Sequence, residues 1–448
     1  MLKIGIENFI GIEKIEIELA NIVLLLGHNN SGKTRVMELL YGIQQYIINM
    51  KFPADELKED GDWYVADVEW QGLMEKEINA SLEREKEKIV LDIFKKNIDV
   101  GKIYISLGSM YDYRFKIKEV TLATVTEEKN GNGYNDTIWE IDLVSQENEK
   151  HHHMYRIRGD VERKEILELG ASLVIRGIVT GNNSIYNLIY LPASRTGLQM
   201  LNKYYYLARR STVNNEETVL IDSNNQSSGQ FDYSLTSPVD DYLEFVYNYQ
   251  RAPKLNTDNA RLIEFVEEKM LDGKIKKEGK DLFYNRKGVN ADIPLYLSSA
   301  MVNEIAPIYQ VISGGKRYGT IFYDEIETCL HPSKQPEMAR LIVRMAKSGY
   351  RIIASTHSDN MAAMFNLLFL ISTKANARVE ELELEEEDVL KEEEFRIYEF
   401  ERDKQKKTTV RKLDFNGYPS NGVEFSLFSK SLDKLYDLTN KVIGSDFV

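Results

Sequence analysis

Cysteine is nearly absent: Cys329 is the one thiol in 448 residues, beside nine prolines and three tryptophans. A single thiol excludes an internal disulfide framework and fits a reducing, cytoplasmic setting. Long apolar runs are also missing, and no segment approaches the roughly 20 residues that a membrane-spanning helix needs. No membrane partner is expected. The opening Met1-Leu2-Lys3-Ile4-Gly5-Ile6-Glu7 runs straight into strand patterning and does not read as a secretory leader. Positive charge is in deficit, with 57 Lys and Arg against 71 Asp and Glu and a net charge of −14. The surface as a whole is therefore no general binder of nucleic acid, which leaves local basic patches to be weighed. Internal repeats and long heptad runs are not evident. What is present is a 43 % hydrophobic content, enough for two domains or one domain with a large insertion.

Residues Gly27-His28-Asn29-Asn30-Ser31-Gly32-Lys33-Thr34 follow the apolar run Ile22-Val23-Leu24-Leu25-Leu26 and precede the helical Arg35-Val36-Met37-Glu38-Leu39-Leu40. A buried strand enters, a helix leaves, and the glycines let the backbone wrap so that successive N–H groups face a phosphate chain. Lys33 supplies a point charge for β- and γ-phosphates, and the Thr34 hydroxyl is placed to ligate magnesium. Gly27 to Arg35 are read as the ATP-binding segment, with ATP and Mg2+ as ligands.

Alternation of apolar and charged residues predicts strands at 2–9, 14–19 and 21–26. Residues 73–98 have helical spacing. Strand-like runs follow at 102–107, 113–124, 137–143 and 153–157, around a turn-rich 129–133. A buried strand is expected at 187–192, a loop at 213–234, a helical region at 239–270 and a hairpin around Gly279 and Gly288. The end reads as an acidic solvated helix at 381–394, two strands around 395–413 and a helix at 424–442.

Two further strand ends carry chemistry. Thr320-Ile321-Phe322-Tyr323-Asp324-Glu325 delivers two carboxylates to a C-terminal strand edge, where ligands of α/β sheets bind. Asp324 would hold magnesium through water, and Glu325 would orient or deprotonate the attacking water. Arg351-Ile352-Ile353-Ala354-Ser355-Thr356-His357-Ser358 ends likewise in a polar cluster, with His357 placed to sense the γ-phosphate.

The opening Ile6-Glu7-Asn8-Phe9-Ile10-Gly11-Ile12, the phosphate loop, Asp-Glu-Ile-Glu-x-x-Leu-His-Pro at 324–332 and Ser-Thr-His-Ser at 355–358 resemble ABC-class ATPases. They resemble more narrowly the soluble branch that holds RecF, the chromosome-maintenance proteins and the OLD-type (overcoming-lysogenisation-defect) ATPases. Leu330-His331-Pro332 and Leu191-Pro192-Ala193-Ser194-Arg195 are most similar to OLD-type and anti-phage defence ATPases. The resemblance covers residues 1–50 and about 185–448. It implies an α/β fold, a P-loop NTPase of ABC type with an antiparallel β subdomain and an α+β insertion. Residues 1–50 and 181–448 would form the head, with a helical lobe at about 236–310, and 51–180 an accessory lobe. It implies also that two heads sandwich two ATP molecules, each completed by a signature loop of the opposite head. The matching position is Leu297-Ser298-Ser299-Ala300-Met301, which lacks the usual two glycines and the amide or acid. Ser298 and Ser299 remain as phosphate contacts at a helix start. The family's glutamine loop falls near 194–199, where Arg195 and Gln199 are both candidates.

Weaker features have plainer readings. His151-His152-His153 reads as an exposed loop. Lys274, Lys276, Lys277, Lys280, Arg286 and Lys287, and separately Lys404, Lys406, Lys407, Arg411 and Lys412, form basic hairpins that read first as solvated faces and second as contacts to nucleic acid. Tyr204-Tyr205-Tyr206 reads as packing. Residues after His357 read as the close of the ATPase fold, without a nuclease constellation. The expected function is a homodimeric or higher-order ATPase whose nucleotide-dependent engagement regulates a separate effector, a nuclease or toxin, in anti-phage defence. The alternatives are a RecF-like repair ATPase that binds DNA, and a slowly hydrolysing nucleotide-gated scaffold.

Overall fold

The computed structural model describes residues 1–108, 112–121, 137–145, 152–159, 161–181, 187–201, 235–279, 281–373, 382–403, 405 and 407–414. The expected features at 129–133, 204–206, 213–234 and 424–442 lie outside them, as do His151, Lys280, Lys404 and Lys406.

A nine-stranded sheet organises the chain. Five neighbouring strands are mutually parallel, in the order Leu188–Leu191, Thr320–Tyr323, Arg351–Thr356, Ile22–Gly27 and Phe395–Arg402. Thr408–Leu413 then pairs antiparallel with Phe395–Arg402 and joins Ile12–Glu18 in parallel register at Thr408 and Ile12. Lys3–Phe9 and Lys102–Ser106 complete an antiparallel edge.

The strand Ile22–Gly27 is buried at every position. Ile22, Leu24 and Leu26 face a core shared with helices Ala300–Ser313, Gln335–Lys347 and Asp359–Thr373. Val23 and Leu25 face a second core with helices Lys33–Asn49, Val68–Phe94 and Arg163–Thr180. A strand covered on both faces reads as an unbroken apolar run, which is how it stood out in the sequence.

Residues 51–180 supply an antiparallel five-stranded sheet of Lys58–Asp60, Trp63–Ala66, Tyr113–Thr121, Thr137–Ser145 and His153–Arg158. They also supply the edge strand Lys102–Ser106 of the main sheet. Helix Val68–Phe94 starts earlier than its apolar spacing predicts, because Asp67 caps it by accepting from the Trp70 N–H at 2.9 Å.

The helical region expected over 239–270 divides into Ser237–Asn248 and Thr257–Phe265, the latter running into a π-helical turn, Val266–Leu271. Pro253 lies in the break, and Asn256 caps the second helix by accepting from Asn259 N–H at 2.7 Å. The hairpin is present as Gly273–Glu278 and Asp281–Arg286, turning at Gly279. Among the described residues no helix is long and apolar enough to cross a membrane.

The acidic run departs from a solvated helix. Its described part forms two short 3-10 turns, and Asp388 is fully buried. Asp388 accepts from Arg340 Nε at 3.0 Å and from Arg344 Nε at 2.6 Å. The two arginines stand four residues apart on one helix and both lie over the Phe265 ring. Asp388→Ala leaves two largely buried guanidiniums without their carboxylate. It should destabilise the fold by about 3–5 kcal/mol, read from the shift of the denaturant unfolding midpoint. A midpoint within error of the wild type would contradict this account of the pair.

Candidate active site

The phosphate loop connects the central parallel strand to helix Lys33–Asn49. Gly27 holds φ +152°, and a Cβ there would meet the Phe400 carbonyl oxygen at 2.5 Å. Gly32 holds φ +96° and caps the helix without a side chain, so the first-turn N–H groups and the loop open toward the same space. His28, Asn29, Asn30 and Arg35 are exposed, whereas Ser31 and Lys33 are buried. Lys33 Nζ donates to Gly27 O at 2.6 Å and His28 O at 3.0 Å. Burial pulls the Lys33 ammonium below its usual range, and the charges of Asp324, Glu325 and Glu327 act against that shift. Arg35 pairs with Glu38 at 2.6 Å, and Glu38 also accepts from Thr236 Oγ1 at 2.8 Å.

Because Thr320–Tyr323, Arg351–Thr356 and Ile22–Gly27 are adjacent and parallel, their C-terminal ends bring three separate sequence segments to one sheet edge. The Thr34 hydroxyl donates to Asp324 Oδ2 at 2.9 Å, across 290 residues of sequence. Asp324 Oδ2 also accepts from Tyr190 OH at 3.3 Å, and Oδ1 accepts from Ser355 Oγ. Glu325 is half-buried and adopts a left-handed φ of +45°. Its N–H donates to Ser355 Oγ at 2.8 Å, and its carboxylate accepts from Thr328 Oγ1 at 3.3 Å. His357 pairs through Nδ1 with Glu327 Oε1 at 2.8 Å, and its own N–H donates to the same oxygen at 2.7 Å.

The two candidates near 194–199 part company. Arg195 is fully buried behind the carboxylate turn, donating to Asp324 O at 2.6 Å and Glu325 O at 3.1 Å. Gln199 is half-buried and donates to Asn303 O at 2.8 Å. Ser299 caps helix Ala300–Ser313, and Ser298 accepts from Asn303 Nδ2 at 3.2 Å. Among the described residues no hydrogen bond or ion pair joins Ser298 or Ser299 to the phosphate loop or to Asp324 and Glu325.

The model of the AAA ATPase domain family (AAA_15) matches residues 1–362. The chain belongs to this family. Its sheet, parallel around the phosphate loop and antiparallel toward the other edge, carries the P-loop ATPase fold. Solved structures similar to this AAA ATPase include the SMC head domain from Thermotoga maritima, at 12 % identity and TM-score 0.34 over 92 % of this chain and 98 % of that one. An SMC head bound to the C-terminal winged-helix domain of ScpA shows 12 % identity and TM-score 0.36, over 92 % and 97 % of the two chains. The Pyrococcus furiosus Smc head with an extended coiled coil, bound to the C-terminal domain of ScpA, shows 12 % and 0.35, over 98 % and 100 %. Likeness at this level leaves the assignment resting on the family match and the topology. No curated protein matches the sequence significantly.

Four further residues complete the AAA ATPase's site: Tyr190, Glu304, Glu327 and Ser355. Glu327 and Ser355 stand inside the two strand-end motifs, two residues from Glu325 and His357 respectively. Tyr190 and Glu304 carry no local signal and are found only through the fold. Four side chains of the basic hairpins pair with acids. Lys276 pairs with Asp292 at 3.0 Å, Lys274 with Glu267 at 3.6 Å, Arg411 with Glu399 at 2.7 Å and Lys412 with Glu18 at 2.8 Å. His152 pairs with Asp142 at 2.9 Å, and His153 opens a strand.

The Glu327–His357 pair sets a pH dependence. The hydrogen bond to Glu327 raises His357 above its ordinary 6.5, with burial opposing. Burial pushes Glu327 upward from 4.5, but bonds from the His357 ring, the His357 N–H and Thr356 outweigh it and hold the carboxyl lower. The imidazolium's contribution to stability is full below 6.5 and is lost as pH rises through its raised value. The carboxylate's is full above 4.5 and is lost as pH falls through its lowered value. The stability difference between wild type and Glu327→Gln should therefore be largest between 4.5 and 6.5 and shrink above that window. NMR titration should also show the His357 pKa falling toward 6.5 in the variant. An unmoved His357 titration would refute the pairing.

Proposed function

We propose that this AAA ATPase hydrolyses ATP with Mg2+, that nucleotide drives pairing of two copies, and that the engaged state controls a separate effector protein in anti-phage defence. One observation carries the hydrolytic reading: the Thr34 hydroxyl meets the Asp324 carboxylate at 2.9 Å, with Glu325 the next residue and His357 just past the end of the neighbouring strand. Hard oxygen donors from a loop and a strand end suit Mg2+, so Thr34 and Asp324 would hold it. When bound, the ion would supply neutralisation of the negative charge on the phosphates.

The chain's own residues do the rest. N–H groups from Gly27 to Thr34 bind the phosphates, Lys33 adds its charge, and Glu325 orients the attacking water and accepts its proton. His357, its other nitrogen fixed by Glu327, meets the γ-phosphate. Ser298 and Ser299, half-buried and exposed at the start of a helix, would serve the nucleotide of the second copy.

The effector role is supported by the OLD-like Leu191-Pro192-Ala193-Ser194-Arg195 and Leu330-His331-Pro332 segments. The DNA-binding alternative draws less support, because acidic partners hold Lys274, Lys276 and Lys412, three of the lysines that would meet a phosphate backbone. ATP turnover measured with and without duplex DNA separates the two readings. Turnover indifferent to DNA, together with a co-purifying protein whose association changes with ATP, is the expected outcome. Strong, salt-sensitive stimulation by DNA would favour the repair ATPase.

A further inference from the structure

The Asp324–Glu325 turn is held from behind by a buried cation. Glu325 has φ +45°, a region that a residue with a Cβ disfavours unless its surroundings hold it there. Its N–H is anchored on Ser355 Oγ at 2.8 Å. The carbonyls on either side of the following bonds are anchored on one guanidinium: Arg195 Nη1 donates to Asp324 O at 2.6 Å, and Nη2 to Glu325 O at 3.1 Å. Nη1 also reaches Pro192 O at 2.9 Å, and the guanidinium lies over the Tyr323 ring at 4.7 Å. Glu304, itself buried, supplies the counter-charge, its Oε2 2.7 Å from Arg195 Nε.

We propose that Arg195 is a positioning residue for ATP hydrolysis, fixing the main chain that carries Glu325, and that Glu304 ties this hold to helix Ala300–Ser313. The inference rests on the ATPase reading above. Arg195 presents a separate N–H to each carbonyl while its charge pairs with the acid, a planar fork that a lysine ammonium cannot reproduce. Glu304 is fixed in turn by the Thr196 N–H at 3.0 Å and the Thr196 hydroxyl at 2.6 Å, both on Oε1. The preceding residue, Asn303, bonds Ser298 and Ser299 through its side chain and accepts from Gln199 at its carbonyl. The start of that helix and the turn carrying Glu325 thus share one network. None of the hydrogen bonds of Arg195 goes to the phosphate loop, so its loss should change turnover and spare ATP affinity.

The test uses the full chain with Arg195→Lys, the double variant Arg195→Met/Glu304→Leu, and Arg195→Lys added to Glu325→Gln. Removing both buried charges together preserves folding better than removing one. Both Arg195 variants should bind a fluorescent ATP analogue within about 3-fold of wild type while kcat falls about 10–100-fold. Adding Arg195→Lys to Glu325→Gln should cost less than about 2-fold more, because the arginine acts through a carboxylate already removed. Wild-type kcat in the double variant would overturn the proposal, as would additive losses in the Glu325→Gln background, or loss of ATP binding alongside kcat. If wild type and Glu325→Gln turn over alike, the ATPase reading itself fails. If they differ while Arg195→Lys matches wild type, this proposal alone fails.

Discussion

Glu325→Gln should lower kcat for ATP by on the order of 10²–10⁴ while leaving ATP affinity nearly unchanged. The amide keeps the size of the side chain and can still accept from Thr328 Oγ1, which lies 3.3 Å from the carboxylate. The Glu325 N–H bond to Ser355 and the two Arg195 bonds involve neither carboxylate oxygen, so the turn should hold its shape. What disappears is a group able to take a proton from water. Steady-state turnover and equilibrium binding, measured on the same preparation, separate the two effects. An unchanged kcat would return the chain to the third reading, a nucleotide-gated scaffold with little turnover of its own.

Lys33→Ala should weaken ATP binding by at least about 100-fold, since charge-assisted hydrogen bonds to phosphate contribute about 1.5–3 kcal/mol each and more than one is lost. Lys33 is buried and lies against the carbonyls of Gly27 and His28, which hold its ammonium inside the loop. The fold should survive, because the loop's path is set by the positive φ of Gly27 and Gly32 and by the strand and helix on either side. Titration calorimetry with a non-hydrolysable ATP analogue measures the loss. Affinity within a few-fold of wild type would place the nucleotide elsewhere.

The parts of this site legible in the sequence are those whose signal is local. The phosphate loop, the Asp324–Glu325 pair and His357 each end an apolar run, and a parallel sheet carries all three ends to one edge without further information. Partners chosen by the fold left no such trace. Arg195 and Gln199 could not be separated in the sequence because the groups that distinguish them lie 129 and 104 residues away, at Asp324 and Asn303. Asp388 reads as one more charge in an acidic stretch, and only the packing of Arg340 and Arg344, 48 and 44 residues upstream, buries it. The break between helices Ser237–Asn248 and Thr257–Phe265 was signalled by Pro253 and Asn256, but the continuing apolar periodicity on both sides masked it.

Sedimentation velocity of the Glu325→Gln chain, with and without Mg2+ and ATP, reads out nucleotide-driven pairing of two copies. The chain should shift from monomer to dimer, or to a larger even-numbered assembly, on adding ATP, and should not shift when Lys33→Ala is added. A chain whose ATP site is saturated and whose sedimentation does not change would contradict a nucleotide-driven switch.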